Sequence, residues 1–176
     1  ILRFNGNTGA VAEVFTVSPA GAANTHLNVN LGAATVDAHG VEQLIVNTFG
    51  GADTVNVNDV TTTEVEAIDA VFGATDGALD NLFVDGRALD DDMLISVSGS
   101  TVKIAGLEYD VRMLGATLAE GDRLTVSGND GDDRIKANAG VEAVVNLTLN
   151  GNDGNDYLSA DAIINGGAGD DTLVGG

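Results

Sequence analysis

One nine-residue pattern occurs three times near the end of the chain: GNDGDDRIK at residues 128–136, GNDGNDYLS at 151–159 and GGAGDDTLV at 166–174. Each copy has six residues rich in Gly, Asn and Asp that end in Asp, followed by a short strand with one central aliphatic side chain. Gly and Asn tolerate the positive φ angles that a sharp turn requires. The pattern therefore predicts three tight corners, each leading into a strand.

The six residues of each corner offer the ligands that a hard cation prefers. Ca²⁺ takes roughly six to eight oxygens and accepts a mixture of backbone carbonyls and carboxylates. A corner of this kind aims several carbonyls inward, and the Asp at its sixth place adds a carboxylate. Because one corner supplies only about half of the ligand set, a second corner stacked one coil away must complete it. Binding is therefore expected to be coupled to the stacking of coils.

The intervals between the corners indicate how they stack. The corners begin 23 and then 15 residues apart, which is close to one coil of two strands each time. We therefore expect the three corners to lie above one another along one edge only. The opposite edge is expected to be closed by ordinary loops, near residues 140–142 and 160–162.

The stacked corners define a set of candidate ligands. The pair Asp133 and Asp156 frames one site, the pair Asp156 and Asp171 frames a second, and Asp171 also begins a third. At the third place, the side chains of Asp130 and Asp153 can reach an ion, but the third corner has an alanine there, so the backbone carbonyl is the general ligand. The remaining candidates are Gly128, Gly131, Gly151, Gly154, Gly166, Ala168 and Gly169.

The repeated pattern resembles the calcium-binding nonapeptide of the RTX (hemolysin-type) proteins. The resemblance implies an all-β fold, a right-handed parallel β-roll or β-helix solenoid with calcium-binding Gly/Asp turns. It also implies Ca²⁺ as the bound ion, secretion from a bacterial cell and folding on meeting external calcium. In that family the repeats run back to back every nine residues and form calcium ladders along both edges. The wider spacing here puts a second ladder in doubt.

Two alternatives to this interpretation of the corners were weighed. Tight turns of Asn, Gly and Asp also join strands without any ion, and a single copy would favour that explanation; three copies with Asp fixed before the strand favour calcium. An EF-hand is excluded, because neither Asp130 nor Asp153 is followed by the alternating oxygen ligands and the Glu at the twelfth place.

The composition limits the partners of the chain. Of its 176 residues 27 are acidic and 7 basic, which gives a formal net charge of −20. Such a charge repels nucleic acid and anionic membranes and opposes compaction until a cation arrives. The chain has no cysteine, which removes disulfides and thiolate metal sites. No apolar run reaches the length of a membrane helix. Because residue 1 is not Met and residue 176 lies within a repeat, we expect a segment of a longer or processed protein.

The rest of the chain carries short strands with alternating apolar residues. The hydrophobic content of 44% argues against disorder, and the strands recur every 9 to 14 residues, as in a solenoid or a sandwich. We expect degenerate coils over residues 1–120, continued by calcium-binding coils over 121–176, and a separate sandwich domain is the alternative. Residues 61–74 could equally form one short helix. The alternating apolar residues are Leu27-Val29-Leu31, Val55-Val57, Leu82-Val84, Ile95-Val97, Val102-Ile104, Leu124-Val126 and Leu147-Leu149.

An Asp two residues before an aliphatic residue recurs upstream of the three corners, at Asp53, Asp80, Asp92 and Asp122. Asp53, Asp92, Asp133 and Asp171 are separated by 39, 41 and 38 residues. Each interval is about two coils, so residues 1–120 are interpreted as degenerate versions of the same coil.

Catalytic motifs are not found. The chain has two histidines, and Asp37-Ala38-His39 is more typical of a solvated loop than of a metal site. The acidic run 90–92 is interpreted as a solvated loop or a worn calcium turn. No nucleophile elbow, phosphate-binding loop or zinc-protease motif occurs. We therefore expect no enzymatic activity in this segment.

Three classes of function were compared. The first is a calcium-binding structural module of a secreted or cell-surface bacterial protein, such as an adhesin, a surface-layer component or an extracellular filament. Its expected partners are calcium ions and, end to end, further copies or flanking repeats. The second is the accessory RTX region of a secreted hydrolase or polysaccharide-modifying enzyme whose catalytic domain lies elsewhere. A β-helix enzyme that acts on polysaccharide along its own groove ranks last, because few aromatic side chains are available.

Overall fold

The computed structural model describes residues 1–21, 26–73 and 75–176, and in these residues it contains β-strands, two 3-10 turns and no α-helix. The prediction of an all-β fold with parallel strands is confirmed. The strands are β1 (Leu2–Asn5), β2 (Val14–Pro19), β3 (Leu27–Leu31), β4 (Ala34–Ala38), β5 (Gln43–Asn47), β6 (Thr54–Val57), β7 (Ala67–Val71), β8 (Asn81–Asp85), β9 (Asp92–Ser98), β10 (Thr101–Ala105), β11 (Asp110–Leu114), β12 (Arg123–Asp130), β13 (Arg134–Ala137), β14 (Asn146–Asp153), β15 (Tyr157–Ala160), β16 (Ile163–Ala168) and β17 (Thr172–Gly175). The 3-10 turns are η1 (Leu118–Glu120) and η2 (Val141–Ala143).

The strands form two sheets. The first sheet has the order β1-β5-β7-β11-β10-β9-β13-β15-β17, and the second has the order β16-β14-β12-β8-β6-β2-β3-β4. From β5 to β9 and from β11 to β17 the chain passes alternately between the sheets. Each of these strands except β9 pairs in parallel with a strand of an earlier coil. These passages produce two edges at which the chain turns between sheets.

The parallel pairing stacks equivalent apolar residues of successive coils. Leu82 in β8 is level with Leu124 in β12, which is level with Leu147 in β14. The period of two along each strand turns these side chains toward the other sheet, and Leu82 and Leu124 are fully buried. The core is therefore a thin stack of aliphatic side chains between the sheets, which matches the shortage of aromatic residues in the sequence.

Antiparallel strands interrupt the coils at two places. At one end, β2, β3 and β4 form a meander at the end of the second sheet. In the middle, β9, β10 and β11 form a second meander, which inserts two additional strands between β7 and β9 in the first sheet. The sequence predicts the strand 102–104 from its alternation. The reversal in direction occurs at the two-residue turn Gly99-Ser100, where Gly99 has a φ of 61°.

The structure decides between the two interpretations of residues 61–74. The strand β7 lies at Ala67–Val71, so the helix alternative is wrong over the described part of this range, while residue 74 lies outside the described residues. Ile68 is fully buried and pairs with Leu44 of β5 and with Val111 of β11. A β-branched residue inside a two-sheet core favours the strand.

The four aspartates that are spaced by about two coils do not all occupy equivalent corners. We call the edge where β8, β12, β14 and β16 pass into β9, β13, β15 and β17 the Gly/Asp edge, and the other the opposite edge. Asp53 lies between β5 and β6, on the opposite edge. On the Gly/Asp edge, the residue that aligns with Asp133 is Asp91, because Asp92 pairs with Arg134 in the register of β9 and β13. Equal spacing cannot distinguish one edge of a two-sheet coil from the other.

Candidate metal centre

The three Gly/Asp corners stack in register. In the pairing of β12 with β14, Asn129 is opposite Asn152 and Asp130 is opposite Asp153. In the pairing of β14 with β16, Asn152 is opposite Gly167 and Asp153 is opposite Ala168. The expectation that the three corners lie above one another along one edge is met, and the loops at 140–142 and 160–162 close the other edge without such corners.

The sixth-place aspartates form a continuous ladder, here called the inner ladder. The backbone N–H of Asp133 donates to Oδ1 of Asp156 at 2.8 Å, and the N–H of Asp156 donates to Oδ1 of Asp171 at 3.0 Å. At the upper end, the N–H of Asp91 donates to Oδ1 of Asp133 at 2.8 Å. One oxygen of each carboxylate therefore holds neighbouring coils together.

The second oxygens of two of these carboxylates are buried and unpaired. Oδ2 of Asp133 and Oδ2 of Asp156 have no hydrogen-bond partner, and each residue is 2% exposed. Burial raises the pKa of Asp133 to about 7, with the neighbouring Asp156 and Asp91 adding to the rise. Burial also raises the pKa of Asp156, and the charge of Asp171 adds to it. Because an unpaired buried carboxylate is costly, these oxygens fit a bound cation.

Because the first residue of each corner is glycine, there is room beside it for the carboxylate of the inner ladder. A Cβ atom added to Gly128 would collide with Oδ2 of Asp133, and one added to Gly151 would collide with Oδ2 of Asp156. The carboxylate of each corner thus folds back over its own first residue. The requirement for glycine here is steric, and it explains why the repeat begins with this residue.

The third-place residues of the corners contribute to stacking. The N–H of Gly131 donates to the carbonyl of Asp153 at 3.0 Å, and the N–H of Gly154 donates to the carbonyl of Ala168 at 2.8 Å. A carbonyl has two lone pairs, so each can still face an ion. The side chain of Asp130 lies at an exposed position, as does that of Asp153. The backbone therefore suits the ligand role at this place, whereas the two side chains remain candidates.

A second ladder of side chains was missed by the sequence analysis. The N–H of Asn155 donates to Oδ1 of Asp132, and the N–H of Asp170 donates to Oδ1 of Asn155, both at 2.8 Å. The N–H of Asp132 donates in turn to Oδ1 of Asp90 at 2.9 Å. This outer ladder is exposed. The sequence contains the signal for it, because the fifth place of each corner is Asp or Asn.

The corner above Asp133 carries its own positive charge. Residues 86–91 align with the repeat through Gly86, Asp90 and Asp91, and Arg87 occupies the second place. The Nε of Arg87 donates to Oδ1 of Asp91 at 2.6 Å, and the backbone N–H of Arg87 donates to Oδ2 at 2.7 Å. The acidic run 90–92 thus has the position of a worn calcium turn, in which a guanidinium neutralises the buried carboxylate.

A similar ladder lies on the opposite edge, farther upstream. The N–H of Asp53 donates to Oδ1 of Asp80, and the N–H of Asp80 donates to Oδ1 of Asp122, both at 2.8 Å. All three carboxylates are buried. Burial raises the pKa of Asp80 to about 7, and the charges of Asp122 and Asp53 add to the rise. Oδ2 of Asp122 accepts the N–H of Thr117 at 2.7 Å.

Comparison with known families agrees with the geometry of the Gly/Asp edge. Residues 125–142, 148–162 and 163–176 match the model of the RTX calcium-binding nonapeptide repeat, in four copies. The last third of the chain therefore carries RTX calcium-binding repeats, and the resemblance found in the sequence is confirmed. Neither a search of curated proteins nor a search of solved structures gave a match. In the described residues, no helix is long and apolar enough to span a membrane.

Proposed function

We propose that this chain is a calcium-binding structural module of a secreted or cell-surface bacterial protein. Asp133 and Asp156 would hold one ion, and Asp156 and Asp171 would hold a second. Backbone carbonyls of the same corners, including those of the glycines, would supply further ligands. The observation that carries this proposal is the pair of buried, unpaired Oδ2 atoms of Asp133 and Asp156. At Asp91, the aligned oxygens are satisfied by Arg87.

The role of the ion is to allow folding of an acidic stack. Two carboxylates about 4 Å apart repel by roughly 4 kcal/mol at an effective dielectric near 20, and a bound cation reverses that term. Extracellular calcium modules have dissociation constants of about 10⁻⁴ to 10⁻³ M. At about a hundred times the dissociation constant, each site adds roughly 2.7 kcal/mol of stability. Two sites that share Asp156 would therefore decide whether the last coils fold.

Circular dichroism combined with hydrogen exchange tests this proposal on the whole chain. In a chelator we expect a loss of strand signal and fast exchange of the amides in residues 121–176, and calcium should restore both. Magnesium at the same concentration serves as the control, because it demands small octahedral sites and gives up its water reluctantly. Unchanged exchange in residues 121–176 between chelator and calcium would refute the proposal.

We further propose that residues 1–120 are degenerate coils of the same solenoid and that residues 121–176 continue them. Support comes from the second sheet, in which β8 pairs in parallel with both β6 and β12. Since parallel strands joined across a structure are almost always connected with right-handed topology, we propose a right-handed winding. Cooperative unfolding of the calcium-loaded chain in one transition supports a continuous solenoid; two well-separated transitions would contradict it.

An adhesin, surface-layer or extracellular filament is the context that we propose. The last coil presents exposed apolar side chains at Ile163 and Leu173, which a further coil could cover. Light scattering at increasing protein concentration with calcium should then reveal association, and a monomer at all concentrations would contradict it. An accessory region of a secreted hydrolase is the alternative, supported by the same repeats; a catalytic motif in flanking sequence would favour it.

A further inference from the structure

The two histidines of the chain, His26 and His39, lie side by side in the terminal meander. β3 and β4 are antiparallel, with Leu27 opposite Ala38 and Asn28 opposite Asp37. The same register, extended by one residue, places His26 opposite His39. Asp37 precedes His39 by two residues, and residues two apart on a strand share a face. The backbone pairing therefore brings two imidazoles and one carboxylate together.

The side chains are close enough to share one ion. Nδ1 of His26 lies 3.1 Å from Oδ1 of Asp37, and the two imidazole centroids are 3.2 Å apart. One ligand atom from each of the three residues lies within 4.8 Å of the others. Around a tetrahedral ion with bonds of about 2.1 Å, ligand atoms are roughly 3.4 Å apart. Small rotations of these partly exposed side chains close the difference.

We propose that His26, Asp37 and His39 form a binding site for a divalent transition metal such as Zn²⁺. Imidazole nitrogen suits zinc, copper and nickel, whereas Ca²⁺ takes oxygen ligands, so this site and the Gly/Asp corners select different ions. Three protein ligands leave a fourth position for water. The sequence alone favoured a solvated loop at 37–39, because it could not pair His26 with His39. The proposal is independent of calcium binding.

The effect of the metal follows from the position of its ligands. His26 immediately precedes β3, Asp37 lies in β4, and His39 immediately follows β4, the last strand of the second sheet. An ion held by all three would link this edge strand to its neighbour. Edge strands offer unpaired backbone groups for association with other chains, so a metal clamp here would fix the end of the sheet.

Calorimetric titration of the full chain with zinc chloride, in excess calcium, tests the proposal. The excess calcium keeps zinc from the Gly/Asp corners. We expect one equivalent of zinc in the unmodified chain. Both His26→Ala and His39→Ala remove a ligand and should lose at least about a hundredfold in affinity, since loss of an outer-shell partner alone costs about 10- to 100-fold. Asp161→Asn is the matched control, because it removes an exposed carboxylate from a loop outside the meander; it should bind zinc as the unmodified chain does.

The outcomes separate a site from unspecific binding to an acidic surface. The proposal is wrong if both histidine variants retain the zinc affinity of the unmodified chain. It is also wrong if the unmodified chain does not bind zinc with a stoichiometry of one. Proton NMR gives a second measurement without any substitution, because the chain has two histidines. Zinc should shift the ring protons of both histidines together and saturate at one equivalent. A shift of one ring alone, or of neither, would overturn the site.

Discussion

On both edges of the solenoid, a buried aspartate accepts the backbone N–H of the aligned residue one coil away, as Asp156 does for Asp133 and Asp122 does for Asp80. The edges differ in the corners around this bond. On the Gly/Asp edge the corners 86–91, 128–133, 151–156 and 166–171 each have six residues, and the last three share glycine at the first and fourth places. On the opposite edge, the segments 48–53, 72–80 and 115–122 between strands differ in length.

The difference between the edges affects the second carboxylate oxygen, Oδ2, of the ladder aspartates. On the opposite edge Asp122 uses it to accept the N–H of Thr117, which belongs to its own loop. Asp53 does have a buried, unpaired Oδ2, but the loops beside it offer no repeated set of corner carbonyls. On the Gly/Asp edge, identical corners stack around the unpaired oxygens of Asp133 and Asp156. The Asp before a strand therefore marks a coil corner, and the glycine-rich hexapeptide that ends in this Asp marks a proposed calcium site.

The largest expected effect is that of Asp156→Asn, because this residue is shared by both proposed sites. The amide keeps an oxygen for the N–H of Asp133 but loses the charge. At calcium near a hundred times the dissociation constant, loss of both sites should lower the free energy of unfolding by about 5 kcal/mol. Chemical denaturation in calcium and in chelator measures this difference.

Asp80→Asn is the matched control on the opposite edge. It removes a buried carboxylate from the same kind of ladder, while its amide oxygen can still accept the N–H of Asp53. We expect the calcium-dependent part of its stability to equal that of the unmodified chain. Equal calcium dependence in Asp156→Asn and in the unmodified chain would remove the distinction between the edges.

Replacement of Arg87 by Asn tests whether a guanidinium stands in for the ion. The substitution restores the residue found at the second place of two downstream corners and leaves the buried Asp91 without its partner. Breaking a buried ion pair costs about 3 to 5 kcal/mol, and because Arg87 is partly exposed we expect about 3 kcal/mol in chelator. Calcium should recover part of this loss in denaturation experiments.

Arg134→Asn is the control for this experiment, since Arg134 and Asp92 form an exposed pair at 3.8 Å. Such a pair contributes at most about 1 kcal/mol. If calcium does not recover any of the stability lost in Arg87→Asn, then Arg87 is a packing residue rather than a substitute for a cation.

Gly151→Ala should cost about 2 kcal/mol, in the range of overpacked sites, and should weaken calcium binding. The added Cβ would collide with Oδ2 of Asp156 and would approach the carbonyl oxygen of Gly166 to 2.5 Å. Gly175→Ala is the control, because its Cβ would meet nothing within 4 Å. Thermal unfolding and calcium titration of both variants measure the contrast, and equal behaviour would contradict the steric explanation.

The sequence predicts much of this fold because its corners are local. Glycine positions, the terminal Asp and the following aliphatic residue all lie within nine residues, so the corners and the stacking of Asp133 with Asp156 can be read from the pattern. The edge to which Asp53 belongs depends on how many times the chain crosses between sheets. Between Asp53 and Asp91 lie three strands, β6, β7 and β8, or one and a half coils, which the spacing alone does not give. The meander of β9, β10 and β11 lengthens only the interval from Asp91 to Asp133, and the turn Gly99-Ser100 is its local signal.

The candidate sites divide in the same way. The inner ladder was predicted because its aspartates recur at one place of a repeat. The pairing of His26 with His39 depends on the register of an antiparallel hairpin, which two isolated histidines do not specify. The role of Arg87 was missed because an arginine at the second place breaks the repeat that would have drawn attention to it.

The smallest expected effect is a difference in pH dependence between the ladders. Asp80 and Asp133 each have a pKa of about 7 in the folded chain, raised from an ordinary 3.8 mainly by burial. Since the folded state binds these protons more tightly, their contribution to stability is complete below about pH 4 and is lost as the pH rises through 7. In metal-free buffer, the melting temperature of the unmodified chain should therefore fall as the pH rises from 5 to 8. Both Asp80→Asn and Asp133→Asn should make this fall smaller, each by a fraction of its size.

Calcium should separate these two contributions. A cation and a proton compete for the carboxylate of Asp133, so calcium stabilises the chain more as the pH rises. This gain opposes the loss of stability that Asp133 causes over the same pH range without calcium. No calcium is proposed at Asp80, and its contribution should persist in calcium. The measurement is the melting temperature of Asp80→Asn and Asp133→Asn from pH 5 to 8, with and without calcium. If calcium changes the pH dependence attributable to Asp80 as much as that of Asp133, then the opposite edge binds the ion too.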